Sequence, residues 1–220
     1  GQPSVNALFD NKTAIMFGDI LYSKAFTRLT FMPSKIAYTI SNAVTLLSLG
    51  EMMDVDLTNS FNKSYDKYLD MIYKKTASLI EAAAKAAAIL AGLDENKYAL
   101  YGKNLGVAFQ MIDDILDITQ DSQTLGKPAM LDFVEGKVTI PYLLLHERLE
   151  NKTKLEALYK KELTIDESLW IKEQMTITRA LDDSIALAKQ IGNIAIDAVK
   201  DEEDSETLIF IMKAMIEREF

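Results

Sequence analysis

The sequence has no cysteine, little proline and glycine, no long hydrophobic run and no excess of basic residues. Without cysteine, the 220 residues can form no disulfide, zinc–thiolate site or thiol nucleophile, which fits a reducing compartment such as the cytoplasm. No apolar run reaches the roughly 18 to 20 residues of a membrane span, so we expect no transmembrane segment. The net charge of −9 argues against a nucleic-acid partner, which would need a basic face.

Scarce proline and abundant helix-forming residues indicate the fold class. Prolines stand only at positions 3, 33, 128 and 141, and no two-residue alternation is sustained, so we expect an all-α protein without a sheet. We predict helices over about 4–29, 33–53, 61–90, 96–119, 139–149, 166–199 and 205–220, in one domain spanning residues 1–220. The first helix is apolar on nearly every side, so we expect it to be central and buried.

A cluster of acids stands out in the segment FQMIDDILDIT. On a helix, Gln110, Asp113, Asp114 and Asp117 fall within an arc of about 100°, and apolar residues fill the rest. The stripe is either a solvent face or a ligand site. No lysine one turn away relieves the repulsion between the acids, and carboxylates on a rigid helix are the hard oxygen ligands that Mg²⁺ prefers. We therefore predict a magnesium site at Asp113, Asp114 and Asp117.

Three lysines stand where they could neutralise a phosphorylated ligand. Lys75 falls in the middle of the apolar arc of its helix, where it either extends past its neighbours to water or meets an anion. Lys127 and Lys137 each follow a glycine in the loop after the acidic helix, so the backbone there can approach a ligand closely. Carboxylates, lysines and apolar walls together indicate a metal–diphosphate site that also holds a hydrocarbon.

These motifs are similar to those of a known family. FQMIDDILDIT followed by LGKPAMLDFVEGKVTIP closely resembles the second aspartate-rich region of the trans-isoprenyl diphosphate synthases, or polyprenyl synthases. The pair Lys75–Thr76 in YKKTASLI matches the lysine–threonine pair on a central helix of that family. The resemblance covers essentially the whole chain, and the matching positions in the acidic region are Phe109, Gln110, Asp113, Asp114, Asp117, Gly126, Lys127, Asp132, Gly136, Lys137, Thr139 and Pro141.

The resemblance implies a fold, a reaction and partners. The fold is a helical bundle of the isoprenoid synthase type around a deep apolar pocket, in a protein that is usually a homodimer. The reaction is head-to-tail condensation of isopentenyl diphosphate with an allylic diphosphate, whose ionisation Mg²⁺ assists. A segment near the N-terminus, PSVNALF, is more similar to long-chain members of the family than to short-chain ones. We therefore expect a prenyltransferase that makes a long-chain polyprenyl diphosphate.

Roles for individual side chains follow from the same resemblance. The three aspartates would hold Mg²⁺ against the allylic diphosphate, which Lys75 and Lys127 would contact directly, with Lys137 as a helper. Gln110 and the Thr76 hydroxyl or Lys75 carbonyl would stabilise the allylic cation. Phe109 would lie against a substrate tail.

The match departs from the family pattern in two places. A first aspartate-rich motif should precede Gly1, so we expect the chain to lack its N-terminal helices and the 220 residues alone to have little activity. In GEMMDVD, Asp54 stands where the pattern leads us to expect a glutamine, and the sequence offers no reason for it.

Other functions remain open at this stage. The chain could be a non-catalytic subunit that partners a catalytic chain, although a pure scaffold needs none of the three lysines. A terpene cyclase would carry a different second metal motif and would lack the paired glycine–lysine loop. An acidic helical interaction domain would have no affinity for diphosphates.

Overall fold

The computed structural model describes residues 2–119 and 130–217, and within them every regular element is a helix. The all-α prediction is therefore confirmed. Among these residues, no helix is both long enough and apolar enough to span a membrane. In chain order the helices are α1 (Val5–Leu8), α2 (Asn11–Leu29), α3 (Ser34–Leu57), α4 (Tyr65–Ile72), a π-helical turn (Tyr73–Ala77), α5 (Ser78–Ala91), α6 (Glu95–Thr119), α7 (Leu131–Glu135), α8 (Ile140–Arg148), α9 (Lys152–Leu158), α10 (Ile165–Ile177), α11 (Ala180–Val199) and α12 (Glu206–Ile216).

The prediction of one central, buried helix over residues 4–29 is wrong. Helix α1 ends at Leu8, and Asp10 has extended backbone and caps a new helix, α2, because its side chain accepts a hydrogen bond from the Thr13 amide. Neither helix has a buried residue in this chain, and Ile15 is 65% exposed. Apolar residues on all sides indicate that a helix will be covered, but the pattern cannot say whether the same chain supplies the cover.

The predicted helix over 61–90 begins later and is interrupted by the π-helical turn. Ser64 caps α4 by accepting a hydrogen bond from the Lys67 amide. Two glycines let neighbouring helices approach the turn closely, because a Cβ on Gly50 of α3 would lie 2.3 Å from the Lys75 nitrogen and one on Gly106 of α6 would lie 2.5 Å from the Ala77 Cα. The turn is thus held between α3 and α6.

The C-terminal half supplies much of the core. Helices α6 and α11 lie side by side, and Met111, Ile115, Ala188 and Ala195 are fully buried. The predicted helix over 166–199 is divided at Arg179, which has a left-handed φ of 57° although no glycine or proline marks the break. Helix α9 and the short helix α7 were not predicted either, because both are too short for a clear hydrophobic period.

Candidate active site

A cavity of about 240 Å³ lies where α3, α4, the π-helical turn and α6 meet the segment after α7. Its described lining includes five residues to which the resemblance gave a role: Lys75, Gln110, Asp113, Asp114 and Lys137. Residues without an assigned role line it too, namely Asp54, Leu57, Thr58, Asn62, Tyr68, Met71, Ile72, Asp132, Val138 and Thr139. The lysines and carboxylates from separate parts of the chain therefore meet at one place.

Asp114 is buried at the wall of this cavity, with 4% of its surface exposed. The Tyr68 hydroxyl donates a hydrogen bond to its Oδ2 at 2.6 Å, and Gln110 Nε2 donates to its Oδ1 at 3.0 Å. Burial raises the pKa of Asp114 to about 7, against the lowering effect of the two donors, and the nearby charges of Asp132 and Asp113 raise it further. A cation in the cavity would favour the ionised form of this carboxyl.

The hydrogen bonds continue from Asp114 to the π-helical turn. Thr76 Oγ1 donates to Gln110 Oε1 at 2.9 Å, so Thr76, Gln110, Asp114 and Tyr68 form one connected network. Gln110 thereby has a fixed orientation, since its carbonyl faces Thr76 and its amide faces Asp114. No pattern in the sequence pointed to Tyr68. It lies seven residues before Lys75, on the same side of the helix, and the apolar residues around it concealed its polar role.

The other two acids of the stripe differ in environment. Asp113 is exposed and lines the cavity. Asp117 is 2% exposed, and its Oδ2 accepts a hydrogen bond from the Asp132 amide at 3.1 Å. The Met130 amide also donates to the Asp117 carbonyl oxygen, so Asp117 ties the start of α7 to α6. The solvent-face interpretation is therefore wrong for Asp114 and Asp117.

Lys75 meets anions of its own chain. Its Nζ lies 2.6 Å from Asp54 Oδ2 and 3.3 Å from Glu51 Oε2, both on α3. Burial alone would lower the pKa of Lys75, but these two carboxylates raise it above its usual value. The lysine is thus a charged group at the wall of the cavity, with a counter-ion that the sequence did not reveal.

Lys137 is likewise paired with carboxylates. Its Nζ lies 3.0 Å from Asp132 Oδ1 and 2.9 Å from Glu135 Oε2. Burial alone would lower the pKa of Lys137, whereas Glu135 and Asp132 raise it. Lys127, like Gly126, lies outside the described residues.

Phe109 lies away from this cavity. Its ring is 45% exposed and lines a separate shallow groove with Ile80, Leu105, Phe210 and Ile211 among others. The groove is apolar on every named side. Phe109 and Gln110 are adjacent on α6, so neighbouring residues of one helix face an apolar groove and a charged cavity.

The residues at the cavity fit a magnesium ion whose coordination sphere is completed by a bound ligand. Within residues 2–119 and 130–217, no group of three or more carboxylate or imidazole side chains forms a ready metal cage. Mg²⁺ does not need one, because it is usually held by one or two carboxylates together with water and phosphate oxygens. Asp113 and Asp114 are two such carboxylates, side by side at one cavity wall.

The chain is similar to known proteins. A family model described as polyprenyl synthetase matches residues 1–175. The octaprenyl diphosphate synthase of Haemophilus influenzae is 34% identical over 234 aligned residues, which take in 100% of this chain and 70% of that protein.

Two solved structures are similar to the chain as well. The octaprenyl pyrophosphate synthase of Helicobacter pylori has a TM-score of 0.91 at 43% identity, with 98% of this chain and 71% of that chain covered. A polyprenyl synthase of Caulobacter crescentus, complexed with calcium and isoprenyl diphosphate, has a TM-score of 0.85 at 29% identity, with 99% and 70% covered. The similarity therefore extends over nearly all of this chain.

Proposed function

The chain belongs to the polyprenyl synthetase family, and from this premise we propose that it is a cytoplasmic, Mg²⁺-dependent prenyltransferase. It condenses isopentenyl diphosphate head-to-tail with an allylic diphosphate and makes a long-chain polyprenyl diphosphate. Octaprenyl synthases among its relatives support the long-chain product. A relative complexed with calcium and isoprenyl diphosphate supports a divalent cation and an isoprenoid ligand.

The acidic side of the cavity is the proposed metal site. Asp113 and Asp114 hold Mg²⁺ in this proposal, with Asp117 one turn further along α6. When bound, the metal supplies positive charge to the oxygens of the leaving diphosphate. Tyr68 and Gln110 fix the plane of the Asp114 carboxylate, so that its remaining lone pairs keep one orientation.

The lysines and the Thr76–Gln110 pair carry the rest of the proposed chemistry. Lys75, Lys137 and Lys127 bind the allylic diphosphate, whose C–O bond breaks and whose diphosphate leaves with the bonding electrons. The double bond of isopentenyl diphosphate then attacks the allylic cation, and a proton is lost to the released diphosphate. The oxygens of Gln110 and Thr76 stabilise the cation.

The prenyl tail needs an apolar wall. We assign this part to the groove beside Phe109, because it is apolar and Phe109 directly precedes Gln110 on α6. The tail then extends away from the charged cavity while the diphosphate stays in it.

One observation carries the proposal most directly: Lys75, Gln110, Asp113 and Asp114 line one cavity, together with Lys137. The test is a condensation assay on the product of the complete gene, with labelled isopentenyl diphosphate, farnesyl diphosphate and Mg²⁺. We expect a labelled polyprenyl diphosphate, and losses of at least about 100-fold in Asp113→Ala and Asp114→Ala. Turnover and Mg²⁺ dependence left intact in both variants would contradict the proposal. Substrate binding without turnover would favour a subunit that partners a catalytic chain.

A second copy of the chain is the proposed partner. Helix α2 exposes Ile15, Met16, Phe17, Ile20 and Leu21 around much of its circumference, and contact with another chain would remove this apolar surface from water. The family resemblance implies a homodimer. Light scattering coupled to size-exclusion chromatography tests this, and we expect Ile20→Asp to convert dimer into monomer. A monomeric wild-type protein would contradict the dimer.

A further inference from the structure

Asp54 and Lys75 form the closest ion pair at the cavity. Asp54 Oδ2 lies 2.6 Å from Lys75 Nζ, and the two side chains are only 13% and 27% exposed. Glu51 is a weaker second partner, because its Oε2 lies 3.3 Å away and its side chain is 54% exposed. A pair that is largely withdrawn from water is screened less than a surface pair, so Asp54 neutralises most of the charge that Lys75 offers.

The fold holds this pair in place. Asp54 lies about one turn after Gly50 on α3, and the missing Cβ of Gly50 lets α3 pass against the Lys75 backbone. The two partners are 21 residues apart in sequence and belong to different helical elements. Their contact therefore results from how α3 packs on the π-helical turn, and it is not a local pairing within one helix.

Both members of the pair line the cavity that also contains Asp113 and Asp114. An ammonium group has three N–H donors and no acceptor, so Lys75 can hold a further anion only by sharing its charge with Asp54 and, more weakly, with Glu51. A diphosphate beside Lys75 also feels direct repulsion from the Asp54 carboxylate. The two effects have the same sign, since both weaken diphosphate binding.

We propose that Asp54 is an internal counter-ion that competes with diphosphate for Lys75, and so weakens its binding and hastens its release. The inference rests on the proposed function, in which this cavity binds diphosphates. It also explains the departure noted in the sequence, because a glutamine at position 54 would carry no charge to compete. Asp54 thus acts through Lys75, as a residue that sets affinity.

The test is isothermal titration calorimetry of inorganic diphosphate into the protein at a fixed Mg²⁺ concentration. We expect Asp54→Asn to bind diphosphate roughly tenfold more tightly than wild type, because one nearby negative charge is removed from a partly buried site. Stopped-flow displacement should show that most of the gain lies in slower dissociation. A damaged fold cannot produce tighter binding, so this readout separates the charge effect from a structural role.

Matched variants on α3 serve as controls. Glu51→Gln removes an equal charge one turn earlier on α3. It should change the affinity for diphosphate by less than about threefold, because Glu51 lies farther from Lys75 than Asp54 does and solvent screens its charge. Asp54→Glu keeps the charge and should bind like wild type. Asp54→Gln repeats the neutral change if Asp54→Asn fails to fold, which circular dichroism will report.

The outcomes separate this inference from the proposed function. If wild type binds diphosphate in an Mg²⁺-dependent manner but Asp54→Asn and Asp54→Gln bind it no more tightly, the role of Asp54 is overturned and the proposed function is not. No Mg²⁺-dependent diphosphate binding in any of the proteins would overturn the proposed function as well. Binding that is measurable only in the neutral variants would support the counter-ion in its strongest form.

Discussion

Gly50 and Lys75 approach each other so closely that a Cβ on Gly50 would stand 2.3 Å from the Lys75 backbone nitrogen and 2.6 Å from its Cα. The atoms in the way are backbone, so they cannot swing aside as a side chain end would. This contact fixes the distance between α3 and the π-helical turn. Because Asp54 lies on α3 and Thr76 lies on the turn, the same contact sets the geometry of two parts of the site.

Gly50→Ala should therefore destabilise the protein. We expect a loss of about 1–3 kcal/mol in the free energy of unfolding, because α3 or the turn must shift to admit the methyl group. Urea denaturation followed by circular dichroism measures this. Gly18→Ala is the matched control, with both changes made in the Ile20→Asp background so that no second copy covers α2. Nothing in this chain lies within 4 Å of the added Cβ, and alanine favours a helix interior. Equal stabilities for the two variants would contradict the close approach.

Tyr68→Phe should weaken metal binding without unfolding the protein. The change removes only the hydroxyl that donates to Asp114 Oδ2, so the carboxylate loses one of the two groups that orient it. Loss of such an outer hydrogen bond typically weakens metal binding about 10–100-fold. Electron paramagnetic resonance of Mn²⁺, titrated in the presence of inorganic diphosphate, gives the affinity directly.

Tyr101→Phe is the control for that experiment. Tyr101 is also buried on α6, but its hydroxyl donates to the Leu208 carbonyl oxygen, away from the acids. Both variants should lose about 1 kcal/mol of stability from the missing hydrogen bond. Only Tyr68→Phe should change the Mn²⁺ affinity, and a similar change in both would show that the effect is general loosening.

The buried carboxyl of Asp114 should leave a signature in the pH dependence of stability. Its pKa is about 7 in the folded protein, above the ordinary aspartate value of 3.8, chiefly because of burial. The folded state therefore binds a proton more tightly than the unfolded state. The resulting stabilisation of the folded state is fully present at pH values below the pKa of Asp114 in the unfolded protein. It falls as the pH rises and is lost above about pH 7, the pKa in the folded protein.

Asp114→Asn isolates this contribution because all other titrating groups are shared with wild type. Between about pH 5 and pH 8, wild type should lose roughly 2 kcal/mol of unfolding free energy relative to the variant in the absence of metal. Chemical denaturation at several pH values gives both curves. Parallel curves over this range would mean that the pKa of Asp114 is not raised.

Periodicity was enough to predict the fold class and the acidic side of the site. Asp113 and Asp114 stand on a long helix with a strong apolar pattern, so their position relative to Gln110 follows from helix geometry alone. Lys75 could be singled out for the same reason, as a charge on an apolar arc. These predictions depend on contacts within one helix, where spacing in sequence translates directly into spacing in the structure.

The remaining features depend on contacts between helices, which periodicity does not give. Asp54 was noticed as unusual, but nothing in the sequence indicates that α3 brings it to Lys75. In the sequence Tyr68 has the pattern of an ordinary core residue, whereas in the structure its hydroxyl donates a hydrogen bond to Asp114. No pattern of residues in the sequence marks the π-helical turn. The sequence of α2 likewise does not indicate that its apolar residues lie exposed in this chain.

The most direct test of the account is a crystal structure with Mn²⁺ in place of Mg²⁺ and a non-ionisable thiodiphosphate analogue of an allylic substrate. Anomalous scattering locates the manganese and the sulfur independently of the protein. We expect manganese beside Asp113 and Asp114, with the diphosphate of the analogue between the metal and Lys75. Manganese and diphosphate bound elsewhere on the protein, with this cavity empty, would contradict it.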